Sequence, residues 1–277
     1  MLRGMRSQAE KASALRALHE RAGAFVIPNP WDVGTARLLE RLGFEALATT
    51  SAGFAFSIGK RDGAAGREVM MAHVEALASA VDLPVSADLE NGYGDRPADV
   101  AAAFRDAAAR GIVAASVEDS TGRADEPLYE PALAAERVRA AVAAARALPF
   151  PFLVTARAEN FLVGRDDLKD TIARLQSYQE AGADVLYAPG VSQKDAIATL
   201  VRAVDRPVNV LMGSDGPRLT LAELAEVGVK RVSVGGALTR VALGAFLRAA
   251  KEMRERGTFT LLAEAVSFRE LSEMFEA

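Results

Sequence analysis

Short apolar runs alternate with longer amphipathic segments along most of the chain. The runs are rich in Val, Ile, Leu and Ala and are too short to be helices, which is typical of strands buried on both faces. Eight such runs occur, at residues 24–29, 46–51, 84–90, 114–120, 152–159, 185–190, 207–212 and 231–236. The segments between them, such as PADVAAAFRDAAARG, have helical periodicity, and many end on the glycine that is favoured just after a helix.

This alternation predicts an α/β fold in which parallel βαβ units close into a (β/α)8 TIM barrel. An open doubly wound sheet is the alternative, but the turn after the first run reads PNPWDVGTA and lacks the G-x-G-x-x-G of that fold. An amphipathic helix is predicted before the barrel, and an extra C-terminal helix at residues 259–277. No linker or second domain is evident, so residues 1–277 are interpreted as a single barrel domain.

Composition and charge narrow the function classes. Of the 277 residues, 50% are hydrophobic and 25% are charged, a balance that suits an enzyme-sized globular domain with a large core. The net charge is −4 and the Lys and Arg residues are dispersed, so we expect neither a nucleic-acid nor a membrane partner. Cysteine is absent, which excludes disulfides, thiolate metal ligands and a cysteine nucleophile. We expect a cytoplasmic protein, because the chain lacks both cysteine and an apolar run of about 18 residues.

Polar residues follow several of the predicted strands, at the end of a parallel barrel where chemistry is located. The third run ends in Asp88 and Glu90, the fourth contains Glu118, the fifth contains Arg157, and the seventh carries Asn209. Two acids on one face of a strand repel each other unless a cation lies between them. A divalent metal would supply that cation, and oxygen ligands favour Mg²⁺ or Mn²⁺ over zinc. The alternative is that the acids pair with barrel arginines or cap helices.

The sequence also resembles the isocitrate lyase and phosphoenolpyruvate mutase superfamily. The matching stretches occur in order over nearly the whole chain: PNPWDVGTARLLERLGF, ATTSAGFAFSIGKRDG, SADLENGYGD, VEDS, TARAENF, AGADVLYAPG and RVSVGG. This resemblance implies a Mg²⁺-dependent (β/α)8 barrel that forms or breaks a C–C or C–P bond next to a carbonyl. The implied intermediate is the enolate of an α-oxo acid.

The resemblance also implies roles for individual residues. Four acids would form the metal site. Asp88 would contact the ion directly, and Glu90, Asp62 and Glu118 would bind it through its water shell. The turn formed by Ser51, Ala52 and Gly53 would supply hydroxyl and backbone N–H groups to the substrate. Arg157 would fix the substrate carboxylate, since a guanidinium matches a carboxylate in bidentate geometry.

The loop after the fourth strand departs from the patterns of the superfamily. It reads VEDSTGRADEPLYEP and lacks the K-K-C-G-H of isocitrate and methylisocitrate lyases, as well as the lysine and asparagine of the mutases and phosphonopyruvate hydrolases. Three functions stay open: a lyase or oxaloacetate-type decarboxylase acting on a small oxo acid or its adduct, a C–P enzyme in which Arg123 engages a phosphonate, and a catalytically silent oxo-acid binder. A phosphosugar enzyme is a further competitor, because SVGG at the eighth strand is similar to barrel phosphate sites.

Other residues are predicted to border or close the site. The loop from Asp119 to Pro131 is predicted to be a lid, with Arg123 at its flexible end. Trp31 follows the first strand and would either line the substrate pocket or pack on the next helix. By resemblance, the helix at residues 259–277 would pack on a neighbouring subunit, so we expect a homo-oligomer, either a dimer or a tetramer.

Overall fold

The computed structural model describes residues 5–213 and 216–276, and its centre is a sheet of eight parallel strands. Each predicted run contains one strand, so the (β/α)8 prediction is confirmed. The strands are shorter than the runs, whose polar ends lie in the loops that follow. The strands are β1 Phe25–Ile27, β2 Leu47–Ala48, β3 Val85–Asp88, β4 Ala114–Glu118, β5 Leu153–Arg157, β6 Val185–Tyr187, β7 Val208–Leu211 and β8 Arg231–Ser233.

The sheet curls until its two ends meet. Each strand from β2 to β8 pairs with the next in sequence, and β8 pairs with β1 through Phe25 and Arg231. Between β1 and β2, the N–H of Ala48 donates to the carbonyl of Pro28 at 3.0 Å. The barrel is therefore nearly closed, and the carboxyl ends of all eight strands lie at one rim.

Eleven α-helices occur in the described part of the chain, most of them around the barrel. They are α1 Gln8–Glu20, α2 Val33–Arg41, α3 Ser51–Ser57, α4 Arg67–Ala80, α5 Pro97–Ala109, α6 Pro131–Arg146, α7 Leu168–Glu180, α8 Lys194–Arg202, α9 Leu221–Glu226, α10 Ala237–Arg256 and α11 Phe268–Phe275. Helix α1 is the predicted N-terminal helix and begins at a capping box of Ser7 and Glu10. Its buried face, which includes Leu15, packs with Phe25 and Ile27 of β1 in one apolar cluster.

The C-terminal segment differs from the continuous helix predicted at residues 259–277. It forms a 3₁₀ turn, Thr260–Glu264, and then the short helix α11. The break has a local cause: the Ser267 side chain caps a new helix by accepting from the N–H of Glu270 at 3.1 Å. Helix α11 lies against α2, where Arg41 donates to the carbonyl of Glu276 at 2.9 Å. The extra helix is thus present, but shorter than predicted.

Helix α10 and the C-terminal segment leave large apolar side chains in solvent. The most exposed are Val241 at 70%, Phe246 at 65%, Phe259 at 63% and Phe268 at 89%. Exposed apolar groups that are clustered rather than single are characteristic of interaction surfaces. Within the described ranges, no helix is long and apolar enough to cross a membrane.

Buried His19 should make the stability of the protein sensitive to acid. Burial lowers the pKa of His19 to about 3, and the nearby Arg231 charge acts in the same direction. The unfolded chain therefore binds a proton near pH 6.5 that the folded protein does not bind, and stability is lost as the pH falls below that value. Comparing urea unfolding of wild type and His19→Gln, we expect the wild type to lose about 2 kcal/mol more between pH 7 and pH 5. Equal losses would contradict the assignment.

Candidate active site

Two adjoining cavities open at the carboxyl ends of the strands. The inner cavity has a volume of about 190 Å³ and lies inside the barrel mouth. The outer cavity, of about 820 Å³, lies above it. Ser51, Asp62 and Arg157 line both cavities. Both apolar and polar side chains form the inner wall, and the polar ones from strands include Ser86, Ser116, Tyr187, Asn209 and Ser233.

Arg157 lies at the junction of the cavities and binds three carboxylates. Its Nη1 donates to Asp88 at 3.0 Å, its Nη2 lies 3.1 Å from Glu118, and its Nε donates to Glu159 at 2.9 Å. Burial alone would lower the pKa of Arg157, but the charges of Glu159, Glu118 and Asp88 outweigh it and raise the pKa well above its usual range. Arg157 therefore supplies part of the positive charge expected between the acids. This agrees with the alternative in which the acids pair with barrel arginines.

Asp88 connects the end of β3 to the first turn of α3. Its Oδ2 accepts from the N–H of Ser51 at 3.2 Å and from the Ser51 hydroxyl at 2.9 Å. Its own N–H donates to Thr49 Oγ1 at 2.8 Å. Because Oδ1 is bonded to Arg157, both oxygens of Asp88 face the cavity with defined partners.

Glu90 lies beyond the strand, so the expectation that pleating alone places it on the same face as Asp88 is wrong. Strand β3 ends at Asp88, and Glu90 has a left-handed backbone with φ of 49°. Its carboxyl nevertheless lines the outer cavity, and its buried Oε1 has no hydrogen-bond partner in the described structure. Burial, then the charges of Asp88 and Asp62, raise the pKa of Glu90 to about 7.

The other two predicted metal acids lie in the same region. Burial raises the pKa of Glu118 well above its usual range, although Arg157 opposes the shift. Asp62 belongs to an exposed loop, but its carboxyl faces both cavities, and burial of that group together with the Asp88 charge raises its pKa. The structure thus brings Asp62, Asp88, Glu90 and Glu118 together around one opening.

The turn at Ser51 to Gly53 is only partly available to a ligand. Thr50 caps α3 and accepts from the N–H of Gly53 at 3.1 Å, while the N–H of Ser51 is bonded to Asp88. Over residues 5–213 and 216–276, no acceptor faces the N–H of Ala52. Gly53 is required sterically, because an added Cβ would lie 2.5 Å from Thr239 Oγ1.

Of the three remaining predicted site residues, only Asn209 lines one of these cavities. Asn209 lines the inner cavity and is 2% exposed. Trp31 is half-buried beside α2, where its backbone N–H donates to Thr35 Oγ1 at 3.2 Å, and it lines neither cavity. Arg123 also lines neither cavity; its Nη1 lies 3.1 Å from Asp95.

The predicted lid is a small hairpin with a fixed base. Ser120 and Leu128 form an antiparallel bridge, and the Tyr129 hydroxyl donates to Asp95 at 2.6 Å. At the base, buried Asp119 accepts from the Tyr178 hydroxyl at 2.6 Å. Between the bridged residues Ser120 and Leu128, only residues 122–126 are exposed, so any movement belongs to this tip and not to the whole segment from 119 to 131.

Arg231, which begins β8 and lines the inner cavity, was not predicted as a site residue from the sequence. The feature of the sequence that could have indicated it is a charged residue in a run whose other residues are typical of a buried strand. The SVGG stretch, by contrast, offers less to phosphate than expected. The N–H groups of Val234 and Gly235 both donate to Asn29 Oδ1 at 2.9 Å, which weakens the phosphosugar alternative.

The carboxylate oxygens of the site suit a hard cation but do not form a complete coordination sphere. In the described part of the chain, no three Asp, Glu or His side chains are arranged to hold a metal ion by themselves. The unpartnered buried oxygen of Glu90 and the oxygen-only donors nevertheless fit Mg²⁺, which keeps several of its waters when bound to proteins.

Comparison with known sequences identifies the family. Residues 15–254 match the sequence model described as phosphoenolpyruvate phosphomutase. The chain belongs to this family. Its relatives in the wider phosphoenolpyruvate mutase and isocitrate lyase superfamily include a 2-methylisocitrate lyase, an oxaloacetate decarboxylase, a phosphoenolpyruvate phosphomutase and a phosphonopyruvate hydrolase.

Three relatives show the range of the family. A Burkholderia cenocepacia J2315 protein, provisionally named a lyase/mutase, has a crystal structure with 62% identity and a TM-score of 0.95, covering 98% of this chain and 97% of that one. The oxaloacetate decarboxylase of Paraburkholderia xenovorans is 27% identical over 276 residues, which are 94% of this chain and 87% of that one. A phosphonopyruvate hydrolase solved with oxalate and Mg²⁺ has 26% identity and a TM-score of 0.84, covering 95% and 94%.

Proposed function

We propose that this family member is a Mg²⁺-dependent enzyme that cleaves a C–C bond of a small α-oxo acid or its adduct, as a lyase or an oxaloacetate-type decarboxylase. One observation carries the proposal: four acids, three of them with raised pKa values, surround the opening of a cavity beside the Ser51 turn. Carboxylates that bind protons this readily are poised to share a divalent cation instead.

Mg²⁺ would be held directly by Asp88 and through water by Glu90, Asp62 and Glu118. A single direct protein ligand agrees with the lack of a three-acid cage in the described residues. When bound, the ion would act as a Lewis acid on the carbonyl of the oxo acid and favour the enolate that bond cleavage produces.

The chain's own groups would orient and shield the substrate. The N–H of Ala52 lies at the start of α3, where hydrogen-bond donors favour a carboxylate or oxyanion, and the Ser51 hydroxyl would join it by exchanging its bond to Asp88 for one to the substrate. Arg157 would fix the substrate carboxylate by exchanging part of its contact with Asp88 for a contact with the substrate. The tip of the 119–130 hairpin would limit the entry of water.

A C–P enzyme is the second candidate, supported by the likeness to phosphonopyruvate hydrolase. It would require Arg123 to leave Asp95 and Glu126 and to engage a phosphonate. A catalytically silent oxo-acid binder is the third possibility, in which the acids would bind metal and ligand without turnover.

A substrate panel separates these candidates. Oxaloacetate, phosphonopyruvate, 2-methylisocitrate and substituted malates would each be incubated with enzyme and Mg²⁺, and release of pyruvate or the corresponding oxo acid measured against a no-enzyme control. Mg²⁺-dependent release from a C–C substrate supports the proposal. Release from phosphonopyruvate alone favours the C–P alternative, and binding of oxalate without any turnover favours the silent one.

We also propose that the protein is a homo-oligomer whose C-terminal segment packs on a neighbouring subunit. The exposed apolar side chains of α10 and of residues 259–276 support this. Truncation before Ser267 removes α11 with Phe268 and should reduce the particle size seen by light scattering. An unchanged particle size would count against this role, and Glu264→Gln, which alters the segment without removing apolar area, is the matched control.

A further inference from the structure

Arg231 is a buried arginine that has no carboxylate partner in the described part of the chain. It is 5% exposed and lines the inner cavity. Its Nε donates to Asn209 Oδ1 at 2.9 Å and its Nη2 donates to Thr155 Oγ1 at 3.1 Å, both neutral groups. Its Nη1 is buried and has no partner among residues 5–213 and 216–276. Arg157, in the same cavity, is by contrast bonded to three acids.

A buried charge of this kind is costly unless something neutralises it. Burial lowers the pKa of Arg231 to about 10, with only Tyr187 opposing the shift, so the side chain stays charged near neutral pH. Two neutral hydrogen bonds hold the guanidinium in place and leave its charge uncompensated. The cavity on which it borders is the natural location for a compensating anion.

Arg231 lies deeper in the barrel than the predicted metal site. Asp88 and Arg157 are the last residues of their strands, whereas Arg231 begins β8 and reaches Thr155, two residues before Arg157 on β5. At about 3.3 Å per residue along a strand, Thr155 lies roughly 6–7 Å before Arg157, so the contact of Arg231 is below the rim. A short diacid held at the rim by one carboxylate would extend its other carboxylate toward this guanidinium.

We propose that Arg231 is a specificity-determining residue that binds the second carboxylate of a small dicarboxylate substrate at the floor of the inner cavity. Asn209 acts as a positioning residue, because it holds Arg231 Nε and is itself held by Ser233 Oγ at 2.9 Å. The inference rests on the proposed function, which places the oxo-acid end of the substrate at the rim. It narrows the substrate class to short diacids.

The test compares two stable ligands that differ only in the second carboxylate. Malate and 2-hydroxybutyrate share the 2-hydroxy acid end, and their affinities would be measured by calorimetry on the full chain with saturating Mg²⁺. We expect wild type to bind malate at least tenfold more tightly, as one charge-assisted hydrogen bond allows. In Arg231→Met, the preference for malate over 2-hydroxybutyrate should fall to within about twofold. Arg231→Lys should retain part of this preference. The affinity for oxalate should change in neither variant.

Other outcomes separate the possible failures. Equal wild-type affinities for malate and 2-hydroxybutyrate overturn the inference without any variant, as does a malate preference that survives in Arg231→Met. A structural role would instead lower the ligand-free melting temperature of Arg231→Met, whereas removing an uncompensated charge should leave it unchanged or raise it. If oxalate does not bind wild type with Mg²⁺, the proposed function itself fails, and the inference fails with it.

Discussion

Replacing Asp88 with alanine should abolish turnover and, with it, the stabilisation by oxalate that depends on Mg²⁺. Asp88 is the proposed direct metal ligand and also holds the Ser51 turn by two hydrogen bonds. Loss of several kcal/mol of electrostatic stabilisation corresponds to a fall in rate of about a thousandfold or more. Initial rates on the substrate identified by the panel, together with thermal melts with and without Mg²⁺ and oxalate, measure both effects.

Two further variants make the Asp88 result specific. Asp88→Asn keeps the shape of the side chain and one acceptor for Ser51, so an equal loss in this variant would assign the effect to the charge. Asp166→Ala removes an exposed acid away from both cavities and should behave as wild type. Wild-type Mg²⁺ dependence in Asp88→Ala would show that the metal site is misplaced.

Replacing Arg157 with methionine should destabilise the folded protein more than any other single change at the site. It leaves the carboxylates of Asp88, Glu118 and Glu159 close together without their shared cation. Removing one member of a buried charge network costs about 3–5 kcal/mol. For a chain of this size we expect the melting temperature to fall by roughly 10 °C.

The loss of stability in Arg157→Met should increase with pH. Burial already raises the pKa values of Glu118 and Glu159 above those of the unfolded chain. Proton binding therefore favours the folded state, and the deficit of Arg157→Met should be larger at pH 8 than at pH 5.5. Mg²⁺ should restore more stability to the variant than to wild type, and Arg157→Lys should lose less than Arg157→Met. A deficit that is independent of both pH and Mg²⁺ would contradict the account.

Most of the fold could be predicted from the sequence because its determinants are local. Strands buried on both faces leave continuous apolar runs, and the helices between them are marked by periodicity and terminal glycines. The C-terminal helix was the exception. Its apolar spacing is continuous, but Ser267 begins a new helix and Glu252 binds the N–H of Leu261 at 2.9 Å, an anchoring contact that periodicity does not reveal.

The site was predictable by residue type but not by pairing. Asp88, Glu118 and Arg157 occur at strand ends, so their convergence follows from the fold. That Arg157 binds the acids themselves, and that Arg123 binds Asp95, depends on side-chain directions set by tertiary packing. Arg231 was missed because a residue at the start of a buried strand is expected to be apolar.

The position of the metal tests the proposed active site most directly. Crystals of the full chain grown with Mn²⁺ and oxalate would be measured near the Mn absorption edge, where the ion gives an anomalous signal. We expect one strong peak next to Asp88, surrounded by Glu90, Asp62 and Glu118, with oxalate reaching the N–H of Ala52. A peak elsewhere, or ordered oxalate at the Ser51 turn with no metal beside Asp88, would contradict it.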